Sequence, residues 1–202
     1  MQVLILGNGP SLDSLDICSL SQESDLVLVS NHWYATKWSS LIEVDYYCAS
    51  DPRLFFPPDL RWVKNAKSVK ASYYVVPSRW PYIRLLLPNV RFYDYCGENK
   101  IWEGYPVNFD LDYCLPSGDT VVCDVMIPLA VSLGATKITF AGVDLHHGST
   151  AKHAYDERLV KSKRQSDEYL KSLWVERSSK SLEIQLNKIK ERNIEIVFAN
   201  AK

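Results

Sequence analysis

The chain opens with an apolar run from Gln2 to Leu6 that breaks directly into Gly7-Asn8-Gly9-Pro10-Ser11-Leu12. A run of this length closed by glycine reads as a buried strand, and a strand that empties into a glycine-rich turn is expected to lead into a helix. In an open parallel sheet such a turn presents bare backbone N–H groups to an anion, so a phosphate-binding turn is expected here. Two common versions are excluded by what is missing. Leu12 stands where the dinucleotide fingerprint has its third glycine, and no acidic residue closes a second strand at the ribose position, so this is not a standard NAD site. Asp13 follows where a P-loop would carry Lys and then Ser or Thr, so a Walker-type ATPase is set aside as well. A plainer reading competes on equal terms: the two glycines only form a tight strand-to-helix turn, with Pro10 or Ser11 opening the helix.

Strand-like runs recur at Val3–Leu6, Leu26–Ser30, Tyr46–Ala49, Ser68–Val76, Val90–Tyr93, Lys137–Ala141 and Ile194–Ala199. Thr120–Leu133 carries helical apolar spacing and stops at Gly134, and Asp167–Arg192 is a long amphipathic helix rich in Lys and Glu. Their alternation predicts an α/β fold: a Rossmann-like, mostly parallel sheet with helices on both faces and a small lid segment. The stretch 52–104, with proline clusters such as Phe55-Phe56-Pro57-Pro58, reads as an irregular, aromatic-rich excursion from the sheet. The charged stretch 148–166 is the candidate lid, with a solvated loop as its plainer reading.

A length of 202 residues suits a single domain, 1–202, and 47% hydrophobic residues at a net charge of −1 describe a globular chain without the basic excess that nucleic acid requires. The start lacks the charged n-region of a signal peptide, and no apolar run approaches the roughly 20 residues that span a bilayer, so a cytoplasmic location is expected. The five cysteines share no C-x-x-C spacing and read as free thiols in a reducing compartment.

Four short polar segments follow predicted strands: Gly7-Asn8-Gly9, Asn31-His32, Ser50-Asp51 and Asp144-Leu145-His146-His147. Ligands in open parallel sheets bind at the carboxyl ends of the strands, where these segments are expected to converge. A fifth, Leu115-Pro116-Ser117-Gly118-Asp119-Thr120, precedes a helix, so its amides can face an anion, or Ser117 or Asp119 simply caps the helix. Asp110-Leu111-Asp112 matches the Asp-x-Asp pattern that holds Mg²⁺ or Mn²⁺ in many nucleotide-sugar transferases, but two acids one residue apart arise readily by chance, and a loop or cap role is favoured.

Taken in order, Gly7 to Leu12, Asn31 with its aromatic neighbours, Asp51-Pro52-Arg53-Leu54-Phe55-Phe56, Pro116-Ser117-Gly118 and Gly142-Val143-Asp144 resemble the bacterial lipooligosaccharide sialyltransferases. The resemblance covers most of the chain and implies a single Rossmann-like domain that binds a CMP-sugar, with no metal needed for chemistry. It places Asn8 and Gly9 (beside Gly7) against the nucleotide phosphate, Asn31 with His32 by the ribose or phosphate, and Asp51 near the donor where the family has Asn. Ser117 and Gly118 would meet the donor sugar, and Asp144 marks the family's Gly-(Val/Ile)-Asp. His146 stands where the family has a Tyr that holds the leaving phosphate, and His153 corresponds roughly to a second Tyr in the lid. The pattern is broken at one point: the family's catalytic His before the last long helix has no counterpart in Trp174-Val175-Glu176-Arg177-Ser178-Ser179.

What the resemblance implies is transfer of an acidic sugar, sialic acid or a similar one, from a CMP-sugar to a bacterial surface glycan or glycolipid. Such a role belongs to lipopolysaccharide biosynthesis. His146 and His153 are the candidate catalytic residues, because an imidazole can take a hydroxyl proton or support a leaving phosphate. The missing lid His favours a transferred sugar other than the family's. The expected location extends to the inner face of the membrane, as a peripheral contact, and the expected partners include a second copy of the chain. Two other classes stand beside this reading. Archaeal-type pterin pyrophosphokinases share a similar Gly-x-Gly-Pro-Ser-Leu opening and transfer pyrophosphate from ATP with Mg²⁺, which would make Asp51, Asp144 and Asp112 metal or substrate ligands. A nucleotide-binding protein without catalysis is the third.

Overall fold

Alternate residues of the first strand enter two separate apolar clusters, Leu4 and Leu6 on one face and Val3 and Ile5 on the other, so the strand is covered on both sides. That double burial is what an unbroken apolar run requires. The computed structural model describes residues 1–50, 55, 60–96, 114–116, 121–144 and 168–199. Among these, strands β1 (Gln2–Leu6), β2 (Leu26–Ser30), β3 (Val44–Cys48), β4 (Ala71–Pro77), β5 (Val90–Cys96), β6 (Cys114–Pro116), β7 (Lys137–Ala141) and β8 (Glu195–Phe198) form one sheet. Its order is β6-β5-β4-β3-β2-β1-β7-β8, and each neighbouring pair is parallel.

The order explains the layers. From β1 to β5 the chain steps along the sheet in one direction, and right-handed crossovers then place the connecting segments on one face. Those segments are the 3-10 turns Pro10–Ser14, Trp33–Ala35 and Pro81–Leu85 and the helices α1 (Ile17–Gln22) and α2 (Arg61–Ala66). Ile17, Trp33, Trp62, Val63, Ala66 and Ile83 carry them into one core. The last two crossovers run the opposite way and cover the other face. They are a π-helix, Val122–Met126, continuing into α3 (Ile127–Ser132), and the long helix α4 (Glu168–Glu191). Leu182 and Ile189 of α4 meet Val125, Met126 and Leu129 there. Side chains such as Ile5, Leu6 and Leu28 are fully buried, each contributing about 2 kcal/mol by leaving water.

Gly134 ends α3 in the left-handed region at φ 88, and the Gly134 and Ala135 N–H groups close back on Val131 and Ala130. This is the glycine stop that the sequence predicts. The region 52–104 departs from its reading as an excursion, since it supplies α2, β4 and β5. Its aromatics alternate across the sheet: Tyr74 and Val76 face one layer and Val75 the other. Among the described strands and α-helices three went unread, α1, α2 and β6, each six residues or fewer and too short for a periodic signal. The candidate lid 148–166 lies outside the described residues.

Candidate functional site

Strand β1 has β2 on one side and β7 on the other, so the chain leaves it in one direction and returns on the opposite side only near the end. A strand order that reverses in this way opens a crevice at the carboxyl ends. The turns after β1 and β7 meet there, and those after β2 and β3 flank them.

The β1 and β7 turns are locked together. The Gly7 N–H donates to the Ala141 carbonyl at 2.9 Å and the Gly9 N–H to the Gly142 carbonyl at 2.7 Å. Asp144 receives the Ser11 N–H at 2.7 Å on Oδ2 and the Ser11 hydroxyl at 2.6 Å on Oδ1. Its carboxylate thus caps the Pro10–Ser14 turn, using amides that a phosphate would otherwise meet. The glycines are required by closeness rather than by backbone twist. A Cβ on Gly7 would lie 2.2 Å from the Gly142 oxygen, and one on Gly9 would lie 2.3 Å from Asp144 Oδ2. Gly142 combines a φ of 65 with a Cβ position 2.4 Å from Leu12 Cγ. The plain reading of the glycines, a tight turn, is therefore what their geometry accounts for.

The β2 and β3 side is arranged differently. Asn8 Nδ2 donates to the Ser30 carbonyl at 3.1 Å and to Ser30 Oγ at 3.2 Å. The carbonyl partner fixes which way the amide faces, leaving Oδ1 as a buried acceptor that no described residue engages. No hydrogen bond among the described residues uses the Asn8 backbone N–H either. Asn31 holds φ 37, a left-handed conformation that Asn tolerates better than most residues. Its N–H donates to the Cys48 carbonyl at 2.9 Å, and its Oδ1 accepts from the Ser50 N–H at 3.3 Å. The Tyr47 hydroxyl donates to the Asn31 carbonyl at 2.7 Å. Burial pushes the Tyr47 phenol well above its ordinary range, so it remains a neutral donor. Next to it, burial pushes the Cys48 thiol up, which makes it a packing group rather than a nucleophile.

His32 Nδ1 lies 3.2 Å from the Tyr34 hydroxyl, with the rings edge to face. Gly7, Asn8, Gly9, Asn31, His32 and Asp144 therefore all stand at the carboxyl ends of β1, β2 and β7. Asp51, Ser117, Gly118, His146 and His153 lie outside the described residues, as do Asp110 and Asp112. Among the described residues no three His, Cys, Asp or Glu side chains gather as metal ligands, and no helix is long and apolar enough to cross a membrane.

Sequence reading passed over Ser30 and Tyr47, which help hold the site, and gave Ser11 only a turn or helix-opening role and Ser50 only a place in the polar segment Ser50-Asp51. One signal was present, since Ser30 and Ser50 are polar residues ending apolar strands, and both are buried. Ser11 carries no such mark, because its partner Asp144 is 133 positions away.

No family model matches the chain, and no curated protein matches it by sequence. Solved structures do match. The sialyltransferase CstII from Campylobacter jejuni, in complex with a substrate analogue, cytidine-5'-monophosphate, aligns at a TM-score of 0.56 and 16% identity over 98% of this chain and 79% of its own. The monofunctional α-2,3-sialyltransferase Cst-I from the same organism aligns at 0.57 and 13% identity over 98% of this chain and 75% of its own. A glycosyltransferase, MAf of Magnetospirillum magneticum AMB-1, aligns at 0.50 and 21% identity over 71% of this chain, which corresponds to 23% of that longer protein. The chain has a sialyltransferase-like, Rossmann-like α/β fold, with its polar strand ends gathered at the edge where such sheets bind ligands.

Proposed function

We propose that the protein is a glycosyltransferase that takes an acidic sugar from a CMP-sugar and gives it to a glycan acceptor of the bacterial surface. The observation that carries this reading is Asn8. At the reversal point of the sheet it offers a backbone N–H that no described residue engages, suited to a phosphate oxygen, beside a buried acceptor likewise without a described partner, suited to a hydroxyl or amino group. A nucleoside monophosphate supplies both kinds of partner within a few ångströms. Asn31, anchored by Tyr47 and Ser50, stands one strand over at the same edge of the sheet. Two further facts favour the reading: CstII has been solved with CMP and with a trisaccharide acceptor, and the fold is shared.

The reaction breaks the bond between the anomeric carbon and the phosphate oxygen, whose electron pair leaves with CMP. An acceptor hydroxyl forms the new bond and gives its proton to a base. His146 and His153 are assigned to proton transfer and to support of the departing phosphate, work typically worth about a hundredfold to ten-thousandfold. Asp51, Ser117 and Gly118 complete the donor site, and no metal is required. Asp144 and the two glycines act one step back, by fixing the turn that carries Asn8.

A thermal-shift panel of CMP, CDP, UDP, GDP, ADP and ATP, each with Mg²⁺ and with chelator, tests the donor. A ligand at about a hundred times its dissociation constant adds roughly 2.7 kcal/mol. Selective stabilisation by CMP, unchanged by chelator, is expected. Stabilisation by ATP with Mg²⁺ alone overturns the reading in favour of pyrophosphate transfer. CMP binding that survives with no turnover of any CMP-sugar indicates a nucleotide-binding protein instead.

A further inference from the structure

Seven of the 23 Lys and Arg residues fall between Asp59 and Asp94, with no acidic residue among them, although the whole chain carries a net charge of only −1. Within it, α2 and the Pro81–Leu85 turn pack on one face of the sheet, whereas Arg91 lies over the Tyr73 ring on the opposite face, beside Tyr46 and Val75. Trp62 of α2 and Ile83 of the Pro81–Leu85 turn share a core, and the Phe55 ring joins their elements, 5.4 Å from Trp62 and 5.9 Å from Trp80. Trp62, Val63 and Ala66 face inward, so Lys64 stands outside, and Lys67 just beyond the helix is exposed too. On the neighbouring turn Ile83 and Leu87 face inward, which leaves Arg84, Leu85 and Leu86 outside.

Leu85 is 87% exposed and Leu86 39%. Neither is a member of a core cluster among the described residues. The Arg84 guanidinium rests 4.8 Å from the Phe92 ring centre, so its stem covers apolar surface while its charge stays at the rim of the leucine pair. Apolar side chains that protrude between cations have the chemistry of an interfacial surface: the leucines enter the boundary between headgroups and acyl chains, and the cations meet lipid phosphates. Nucleic acid would use the cations but give the leucines nothing to bury against. Lys70 shares a shallow cleft with Glu43 and Asp45 and is left out of this contact.

We propose that the outer surface of α2 and the Pro81–Leu85 turn docks the protein on an anionic bilayer, with Leu85 and Leu86 inserted and Lys64, Lys67 and Arg84 on lipid phosphates. The inference is independent of the donor assignment, because its test contains no nucleotide.

Co-sedimentation with vesicles of phosphatidylcholine plus phosphatidylglycerol, against phosphatidylcholine alone, is the experiment. The full chain is expected to sediment with the anionic vesicles only. Lys64→Gln and Lys67→Gln should each weaken binding about fivefold. Leu85→Ser with Leu86→Ser should weaken it by about tenfold or more with every charge intact. All four positions are exposed, so melting temperatures should match the wild type, which separates lost docking from lost folding. Absence of binding to anionic vesicles at low salt overturns the proposal. So does binding that ignores the leucines, and so does a lipid-free dimer that Leu85→Ser abolishes, since the surface would then belong to a second copy.

Discussion

On the β7 side of β1, the N–H groups of Gly7, Gly9 and Ser11 are bonded to the neighbouring turn, whereas on the β2 side Asn8 keeps a backbone N–H and a buried acceptor without a described partner. The loop that reads as a phosphate cradle is thus mostly a clamp between two strands. Among the described residues, the one between the glycines is the member whose N–H and side-chain acceptor no described residue takes. Turn glycines can serve the scaffold and the ligand at once: close packing of Gly7 and Gly9 on Gly142 and Asp144 is what holds Asn8 at the reversal point.

The contrast is sharpest at Gly7. A Cβ there would sit 2.2 Å from a backbone oxygen, which cannot swing aside, so Gly7→Ala is expected to lower unfolding free energy by about 3 kcal/mol or more in urea titration. A near-native midpoint would show that the two turns are not clamped. Asp144→Ala comes next. It strips both oxygens from Ser11 and leaves a capping position empty, for a loss of about 2 kcal/mol, with CMP affinity falling less than stability. Unchanged stability with lost CMP binding would reverse the comparison and put Asp144 on the ligand.

Alkaline pH probes the other flank. Burial raises the pKa of Tyr47 and of Cys48, so the folded protein keeps protons that the unfolded chain releases. Their contribution is complete below the ordinary pKa values and is lost as pH rises above them, at about 1.4 kcal/mol per pH unit for each group. Stability measured above about pH 10 should fall accordingly, and Tyr47→Phe should remove part of the slope. A flat profile would mean that these groups are not sealed beneath Asn31. The smallest expected effect is Asn8→Ala, which should weaken CMP about tenfold while changing stability by under about 1 kcal/mol. Equal losses in both would make Asn8 another member of the clamp.

Much of the frame was legible in residues. Seven of the eight strands, the glycine stop at Gly134 and the helix over α4 follow from apolar period and from punctuation, which are local properties. The convergence of Asn8, Asn31 and Asp144 followed as well, because carboxyl ends of parallel strands share one edge. Short elements escaped: β6 has three residues, one of them Pro116, and α1 and α2 are held by packing of Ile17 and Trp62 rather than by propensity.

By itself, then, the sequence determined the alternation of strands and helices, the double burial of β1 and the positions of the polar strand ends, since each depends on neighbours a few residues apart. Only the tertiary structure decided which amides of the first turn are already bonded. Ser11 and Asp144 lie 133 positions apart, and whether a carboxylate or a phosphate caps the first turn depends on β7 returning beside β1. Strand order settles that, and strand order is fixed by burial across the whole sheet, not by any one segment.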